Sequence, residues 1–223
     1  MLLLVGIVLV VLAYQVWLFG HVLWWSRHDP ESTRFMDIRL AELRVRKPEA
    51  EIKQRWVPYA RISNHLKRAI VAAEDAKFVD HEGFDWEGIQ RAIEKNQQKG
   101  RAVAGGSTIS QQLAKNLFLT PQRSYWRKAE EALITLMIEA TMDKQRILEI
   151  YLNVVEWGNG VFGAEAAARH YFGVSAAGLD AWQAAWLAGA LPNPRYYDRN
   201  RGAPGLARKT LIIVERMPDA AIP

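Results

Sequence analysis

GGSTISQQLAKNLF spans residues 105–118, and its reading governs the rest of the chain. Two glycines open it, hydroxyl and amide side chains follow, and a lysine sits inside what is otherwise a helical run. A solvated helix favours Glu, Lys and Ala. Here Ser107, Thr108, Ser110, Gln111, Gln112, Lys115 and Asn116 fill a short stretch with uncharged hydrogen-bonding groups and one cation. Glycines ahead of a helix offer backbone N–H groups to an anion, and Lys115 lies two turns further on. G-x-x-x-x-G-K-[ST] is absent, so this is no nucleotide P-loop. The alternative is a polar helix packed on another surface of the domain. The spacing starts the helix at Ser107 or Ser110, carries it to Leu119 and ends it at Pro121.

Working outward, Ser63 is placed to cap a helix through AIVAAEDAKF. Further helices are expected over 87–98, closed by Gly100, and over 126–140 and 143–156, where apolar residues such as Leu133, Leu136, Met137 and Ala140 recur at helical spacing. Gly158, Gly160 and Gly163 mark a turn region. A helix over 164–172 has Gly173 as its C-cap. Asp180 caps an Ala/Trp/Leu-rich helix that stops before Pro192 and Pro194, and a last amphipathic helix covers 206–217. No strand run or internal repeat stands out, so the fold class is mainly α.

Two other stretches carry chemistry. In AAEDAKFVDHEGFDWEGI, Glu74 and Asp75 follow an apolar run, so a carboxylate is expected at the inner edge of a cleft. Burial there raises its pKa and makes it a usable acid or base. A solvated helix end, with Lys77 paired to Glu74, is the plainer reading. His81 with Asp80 and Glu82 is a weak metal pattern, because adjacent side chains diverge. In RSYWRKAEEALITLMIE, Arg127 and Glu131 stand four apart. They make either a helix salt bridge or part of a basic strip of Arg123, Arg127 and Lys128 suited to a phosphate leaving group.

The chain has 223 residues, half of them hydrophobic, 24% charged and none Cys, with a net charge of +5. It fits one domain and an appendage without disulfides or thiolate metal sites. The positive balance suits nucleic acid, an anionic membrane or a phosphate-bearing substrate. MLLLVGIVLVVLAYQVWLFGHVLWW, residues 1–25, contains no Asp, Glu, Lys or Arg. It is long enough for a span of roughly 20 residues and ends in an interfacial Trp pair. A cleaved signal peptide is the alternative, but no A-x-A site follows. The expected organisation is a transmembrane anchor over 1–25, a polar tether over 26–55 and a helical domain over 56–217. Nine Lys/Arg against six Asp/Glu follow the span up to Arg61, which by the positive-inside rule alone would leave the domain in the cytoplasm.

Taken together these stretches resemble the glycosyltransferase 51 family, the peptidoglycan glycosyltransferases. EDAKFVDHEGFDW (74–86) resembles that family's first motif and GGSTISQQLAKNLF its second, almost letter for letter. RKAEE (127–131) resembles the third, KQRILEIYLNVVEWGNGVFGAEAAARHYFG (144–173) the fourth and AAWLAGALPNP (184–194) the fifth. WVPY at 56–59 and the short length match the monofunctional, membrane-anchored type. S-x-x-K occurs nowhere, so no transpeptidase activity is expected.

The resemblance implies a lysozyme-like helical domain that joins lipid II units into β-1,4-linked glycan and releases undecaprenyl pyrophosphate. It gives Glu74 the role of base on the acceptor 4-hydroxyl and makes Glu131 the second essential carboxylate. It implies that Asp75, Ser107, Thr108, Gln111, Gln112, Lys115, Asn116, Arg127 and Lys128 bind substrate, the cations neutralising pyrophosphate. Phe78, His81, Gly83 and Trp86 would shape the loop around Glu74, and Asn153, Gly158, Gly160 and Gly163 the cleft floor. A divalent cation such as Mg or Mn is an expected cofactor, with Glu131 its candidate ligand; no organic cofactor is expected. Expected partners are lipid II, the growing glycan, the membrane and other cell-wall synthesis and division proteins, not nucleic acid. Apolar residues between 117 and 126 would dip into the bilayer. The resemblance also places the domain in the periplasm on a single inner-membrane span, against the flanking charges; missing basic residues ahead of Met1 would explain the conflict. Two other readings are a membrane-anchored glycan hydrolase using Glu74 and Glu131 and a non-catalytic cell-wall scaffold.

Overall fold

The computed structural model describes residues 1–101, 105–122 and 124–223. The chain opens with α1, Leu2–Trp25, and α2, Arg34–Arg46. A short strand β1, Lys53–Gln54, leads to α3, Asn64–Glu74, and α4, Trp86–Lys99. Then come α5, Ile109–Phe118, α6, Tyr125–Thr141, and α7, Lys144–Val154. A turn-rich segment holds β2, Glu156–Gly158, and β3, Val161–Phe162. The chain closes with α8, Ala164–Phe172, α9, Ala181–Ala190, α10, Pro194–Arg199, and α11, Pro204–Arg216. The mainly α architecture matches the periodicity.

Most helix ends are where the capping residues put them. Ser63 caps α3 through His65 N–H, and Asp180 and Gln183 form a reciprocal capping box on α9. Gly100 and Gly173 close α4 and α8 in the left-handed conformation. The apolar faces converge on a core in which Trp157, Tyr151, Phe78 and Phe162 are the largest fully buried side chains. Within it α9 packs against both α3 and α11, and α5 against α6 and α7.

The structure departs from the sequence reading in several places, among them an unexpected short helix, α10, and an α3 that ends at Glu74 instead of running through Phe78. Strands exist, in the order β1-β3-β2, with β1 parallel and β2 antiparallel to β3. At two or three residues each they are too short to show alternation, and β2 begins at Glu156, which the periodicity had assigned to the preceding helix. Within 26–55, α2 is an ordered helix capped by Thr33. It contacts α5, and its buried Arg39 pairs with buried Glu156 at 2.9 Å. Finally, α5 begins at Ile109 with Thr108 as its cap, because Thr108 and Gln111 form a capping box.

The apolar α1 is docked along part of its length. Residues Leu3 to Leu12 are largely exposed, as a lipid-facing surface would be, whereas Leu18 and Val22 are fully buried against the domain. Trp17 and Trp25 meet the ring of Phe118 at 6.5 and 5.1 Å. The Tyr14 hydroxyl donates to Glu130 on α6 at 2.6 Å. The Arg146 guanidinium of α7 donates to the carbonyls of Trp25, at 3.0 and 3.1 Å, and of His28 at 2.6 Å. It thereby satisfies acceptors that the helix end leaves open.

Candidate active site

Helices α5 and α6 form one wall of a cavity of about 810 Å3. Its lining brings together Ser107, Gln111, Gln112, Lys115, Arg127, Lys128 and Glu131, with Phe35 of α2 and the exposed Tyr125 and Trp126 at the rim. Arg127 and Lys128 both turn back to Glu131. Arg127 donates to Oε2 at 2.7 Å, and Lys128 Nζ donates to Oε1. Glu131 is 3% exposed, so its two oxygens are committed to these cations. Arg127 Nε is buried and has no hydrogen-bond partner among the described residues. Lys115 forms no ion pair among the described residues; burial lowers its pKa, with Glu131 and Glu74 opposing that shift and Arg127 and Lys128 adding to it. Arg123 lies outside the described residues.

Glu74 ends α3 beside this cavity. Gln112 Nε2 donates to its Oε2 at 2.8 Å, and Tyr151 in turn donates to Gln112 Oε1 at 3.0 Å. Burial raises the Glu74 carboxyl above its ordinary range. The Gln112 hydrogen bond and the fields of Lys115 and Lys209 pull it down, while the Asp75 charge adds to the rise. Lys77, the plain sequence partner of Glu74, instead pairs with Glu87 at 2.5 Å. Glu74 therefore stands at the inner edge of a cleft, linked through one amide to the cationic wall.

Several residues expected to touch substrate are outside the lining of this cavity, although Asp75 and Thr108 line a smaller hollow that Glu74 also lines. Asp75 is turned inward: it accepts from Ile109 N–H at 3.0 Å and from His81 Nε2 at 2.9 Å, fastening α3 to the start of α5. Because His81 Nδ1 accepts from Gly83 N–H at 3.1 Å, the imidazole carries its proton on Nε2 and gives it to Asp75. Thr108 is buried and donates to the Gly83 carbonyl at 2.7 Å. Asn116 is 6% exposed and lies outside the cavity lining. Trp86, expected to shape the loop, is 72% exposed and stacks on Phe84. Asn153 is structural as expected, clasping both backbone groups of Val57 at 2.9 Å.

Part of the helix start expected to face an anion is already engaged within the chain. The Ile109 N–H is taken by Asp75, and the Thr108 and Gln111 N–H groups by the capping box. A Cβ on Gly106 would stand 3.0 Å from Ile89 Cα, so this glycine lets the chain pass close to α4. A protein-held divalent cation does not fit the donor set. The described residues contain no cluster of three His, Asp or Glu side chains, and Glu131 already accepts from two cations. Sequence reasoning missed Tyr151 and Lys209, whose approach to Gln112 and Glu74 joins segments far apart in the chain.

Comparison with known proteins follows the same lines. Residues 41–218 match the model of a family described as Transglycosylase. The chain is 71% identical to a biosynthetic peptidoglycan transglycosylase of Dechloromonas aromatica (strain RCB), over 100% of this chain and 96% of the relative. It is 66% identical to the protein of that name from Laribacter hongkongensis (strain HLHK9), over 95% and 93% of the two chains. With its counterpart in Methylobacillus flagellatus it shares 63% over 99% and 96%.

Proposed function

The chain belongs to the transglycosylase family as a peptidoglycan glycosyltransferase, and on that premise we propose that it polymerises lipid II with Glu74 as general base. The observation that carries this reading is the link of Glu74, through Gln112, to a cavity lined by Lys115, Arg127 and Lys128.

In the reaction the donor's pyrophosphate lies against Lys115, Arg127 and Lys128. The 4-hydroxyl of the acceptor N-acetylglucosamine lies against Glu74 Oε1, since Oε2 is engaged by Gln112. Glu74 takes the hydroxyl proton as the oxygen attacks the donor's anomeric carbon from the face opposite the leaving group. The bond from that carbon to the pyrophosphate oxygen breaks, and the electron pair leaves with undecaprenyl pyrophosphate, whose growing charge the cations stabilise. Inversion converts the α-linked donor to a β-1,4 product without a sugar–enzyme bond. Burial of Glu74 brings its pKa toward the operating pH, which favours general-base transfer. Glu131 orients Arg127 and Lys128. No step is routed through a metal held by the protein; a divalent cation such as Mg or Mn would arrive with the pyrophosphate.

The α1 helix is a single-pass anchor by length and composition, with mean hydropathy 2.4 over Leu3–Trp25. Chemistry on a lipid-borne substrate outside the cytoplasmic membrane places the domain in the periplasm. It acts there as a monofunctional glycosyltransferase, without transpeptidase activity and alongside other wall-building proteins. The test is incubation of the detergent-solubilised chain with labelled lipid II, followed by muramidase digestion. Muramidase-sensitive polymer, absent in Glu74→Gln, is the expected result. Cleavage of preformed glycan without polymer would indicate a hydrolase, and neither activity from folded protein would leave a scaffold.

A further inference from the structure

Glu74 reaches the cationic cavity through Gln112 and is not itself in that lining. It lines two smaller hollows, of about 190 and 230 Å3. The first is lined by Glu74, Gly189, Pro192, Lys209 and Arg216; the second by Glu74, Asp75, Asp85, the 105–108 segment and, again, Arg216. Arg216 thus spans both, and α11 supplies the cations of these hollows as α5 and α6 supply those of the larger cavity.

Two features separate these cations from ordinary surface charge. Neither Lys209 nor Arg216 forms a salt bridge among the described residues, whereas Arg127 and Lys128 are tied to Glu131. Lys209 is also held in place: its Nζ lies 5.5 Å from the centre of the Tyr197 ring. A Cβ on Gly189 would stand 3.4 Å from Lys209 Cβ and 3.1 Å from Leu206. The missing side chain lets α9 and α11 approach closely, which sets Lys209 beside the hollow that Glu74 lines, and Ala72, Ala73, Ala188 and Gly189 give that hollow small residues able to take the face of a sugar ring.

A base must lie between the two molecules it joins. The cavity lined by Lys115, Arg127 and Lys128 is assigned to the donor's leaving group, and the hollows that Glu74 itself lines with Lys209 and Arg216 are left for the hydroxyl-bearing molecule. We propose that Lys209 and Arg216 form an anion site for the acceptor, holding a phosphate or carboxylate of the incoming lipid-linked disaccharide while its 4-hydroxyl rests on Glu74. This rests on the glycosyltransferase reading above.

The experiment uses the full-length chain in detergent. A labelled lipid-linked oligosaccharide whose terminal 4-hydroxyl is blocked serves as donor, and lipid II is titrated as acceptor. Lys209→Met and Arg216→Met are each expected to raise the acceptor concentration for half-maximal rate about tenfold, the scale of one lost hydrogen bond to a charged group. The donor concentration for half-maximal rate should change by less than about twofold, and Lys209→Arg should recover most of the loss. An unchanged acceptor dependence, or equal losses toward both substrates, overturns the proposal. Failure of the unaltered chain to transfer at all would instead overturn the glycosyltransferase reading. A second titration uses lipid II with amidated peptide carboxylates. A penalty that vanishes with this acceptor identifies a carboxylate as the held group; one that persists identifies phosphate.

Discussion

The two walls that flank Glu74 are built on opposite plans. On α5 and α6 the cations are prewired: Arg127 and Lys128 converge on Glu131, and Gln112 bridges from Tyr151 to the base. On α11, Lys209 and Arg216 line open hollows and form no salt bridge among the described residues, although Glu74 lines both hollows with them. A prewired wall suits a charge that grows during reaction, because fixed dipoles and cations cost no reorganisation at that moment. An unpaired wall suits a ligand that must arrive, bind and move on, since its cations are neutralised only while something is bound.

The contrast can be broken at its seam first. Glu74→Gln keeps the hydrogen bond from Gln112 within reach but removes the base. The rate of polymer formation should fall by about 10^2–10^4-fold, the usual worth of general base catalysis. Thermal unfolding should not move to lower temperature at neutral pH. The sign follows from linkage: a carboxyl whose pKa is raised by folding contributes stability below its unfolded pKa and loses it as pH rises through the folded value. An amide cannot ionise and so escapes that loss. A clear drop in melting temperature would show Glu74 to be structural.

Lys115→Met comes next. It removes the one cation of the α5–α6 wall that Glu131 does not hold. Equilibrium binding of a pyrophosphate-bearing lipid should weaken about 10–100-fold, with binding of released glycan almost unchanged. Equal losses for both would erase the distinction between the walls. The pH profile sharpens it further. Because Glu74 must be ionised and its pKa is raised, the acid limb of the rate should lie above the ordinary glutamate range. Lys115 must be protonated and its pKa is lowered, so the alkaline limb should fall below the ordinary lysine range. In Lys115→Arg the alkaline limb should move upward. An unmoved limb would assign it to another group.

The smallest expected effect lies at the anchor. Tyr14→Phe deletes the hydrogen bond to Glu130, the neighbour of Glu131. Unfolding stability in detergent should drop by about 1 kcal/mol, and polymer synthesis should fall only a few-fold. A loss as large as that of Lys115→Met would mean that the anchor, and not α5, sets the position of α6.

Much of this was legible in the chain itself, unevenly. The α8 and α9 boundaries followed from Gly173 and Asp180, because local caps act within one turn. The α5 start was legible too, had the pattern been weighed properly. Thr108 has a Gln at the third helical position and so can close a capping box, whereas Ser107 and Ser110 cannot. Other features were out of reach. The bond from Ile109 N–H to Asp75, across 34 residues of chain, has no local signal. The strands are shorter than any alternation, and α2 hides in a polar segment because its buried face rests on an ion pair, Arg39 with Glu156, more than on apolar residues. Lys209 carries no local signal, since its importance comes entirely from the packing of α11 on α9.

Arg146 clasps the last carbonyls of the membrane helix from α7, the same helix that carries Tyr151 toward Gln112 and the base. These contacts hold the end of α1 against the helix that backs the cleft. On the proposed reading the cleft keeps a constant altitude over the bilayer, so a lipid-borne substrate drifting in that plane needs to search only two dimensions to meet it.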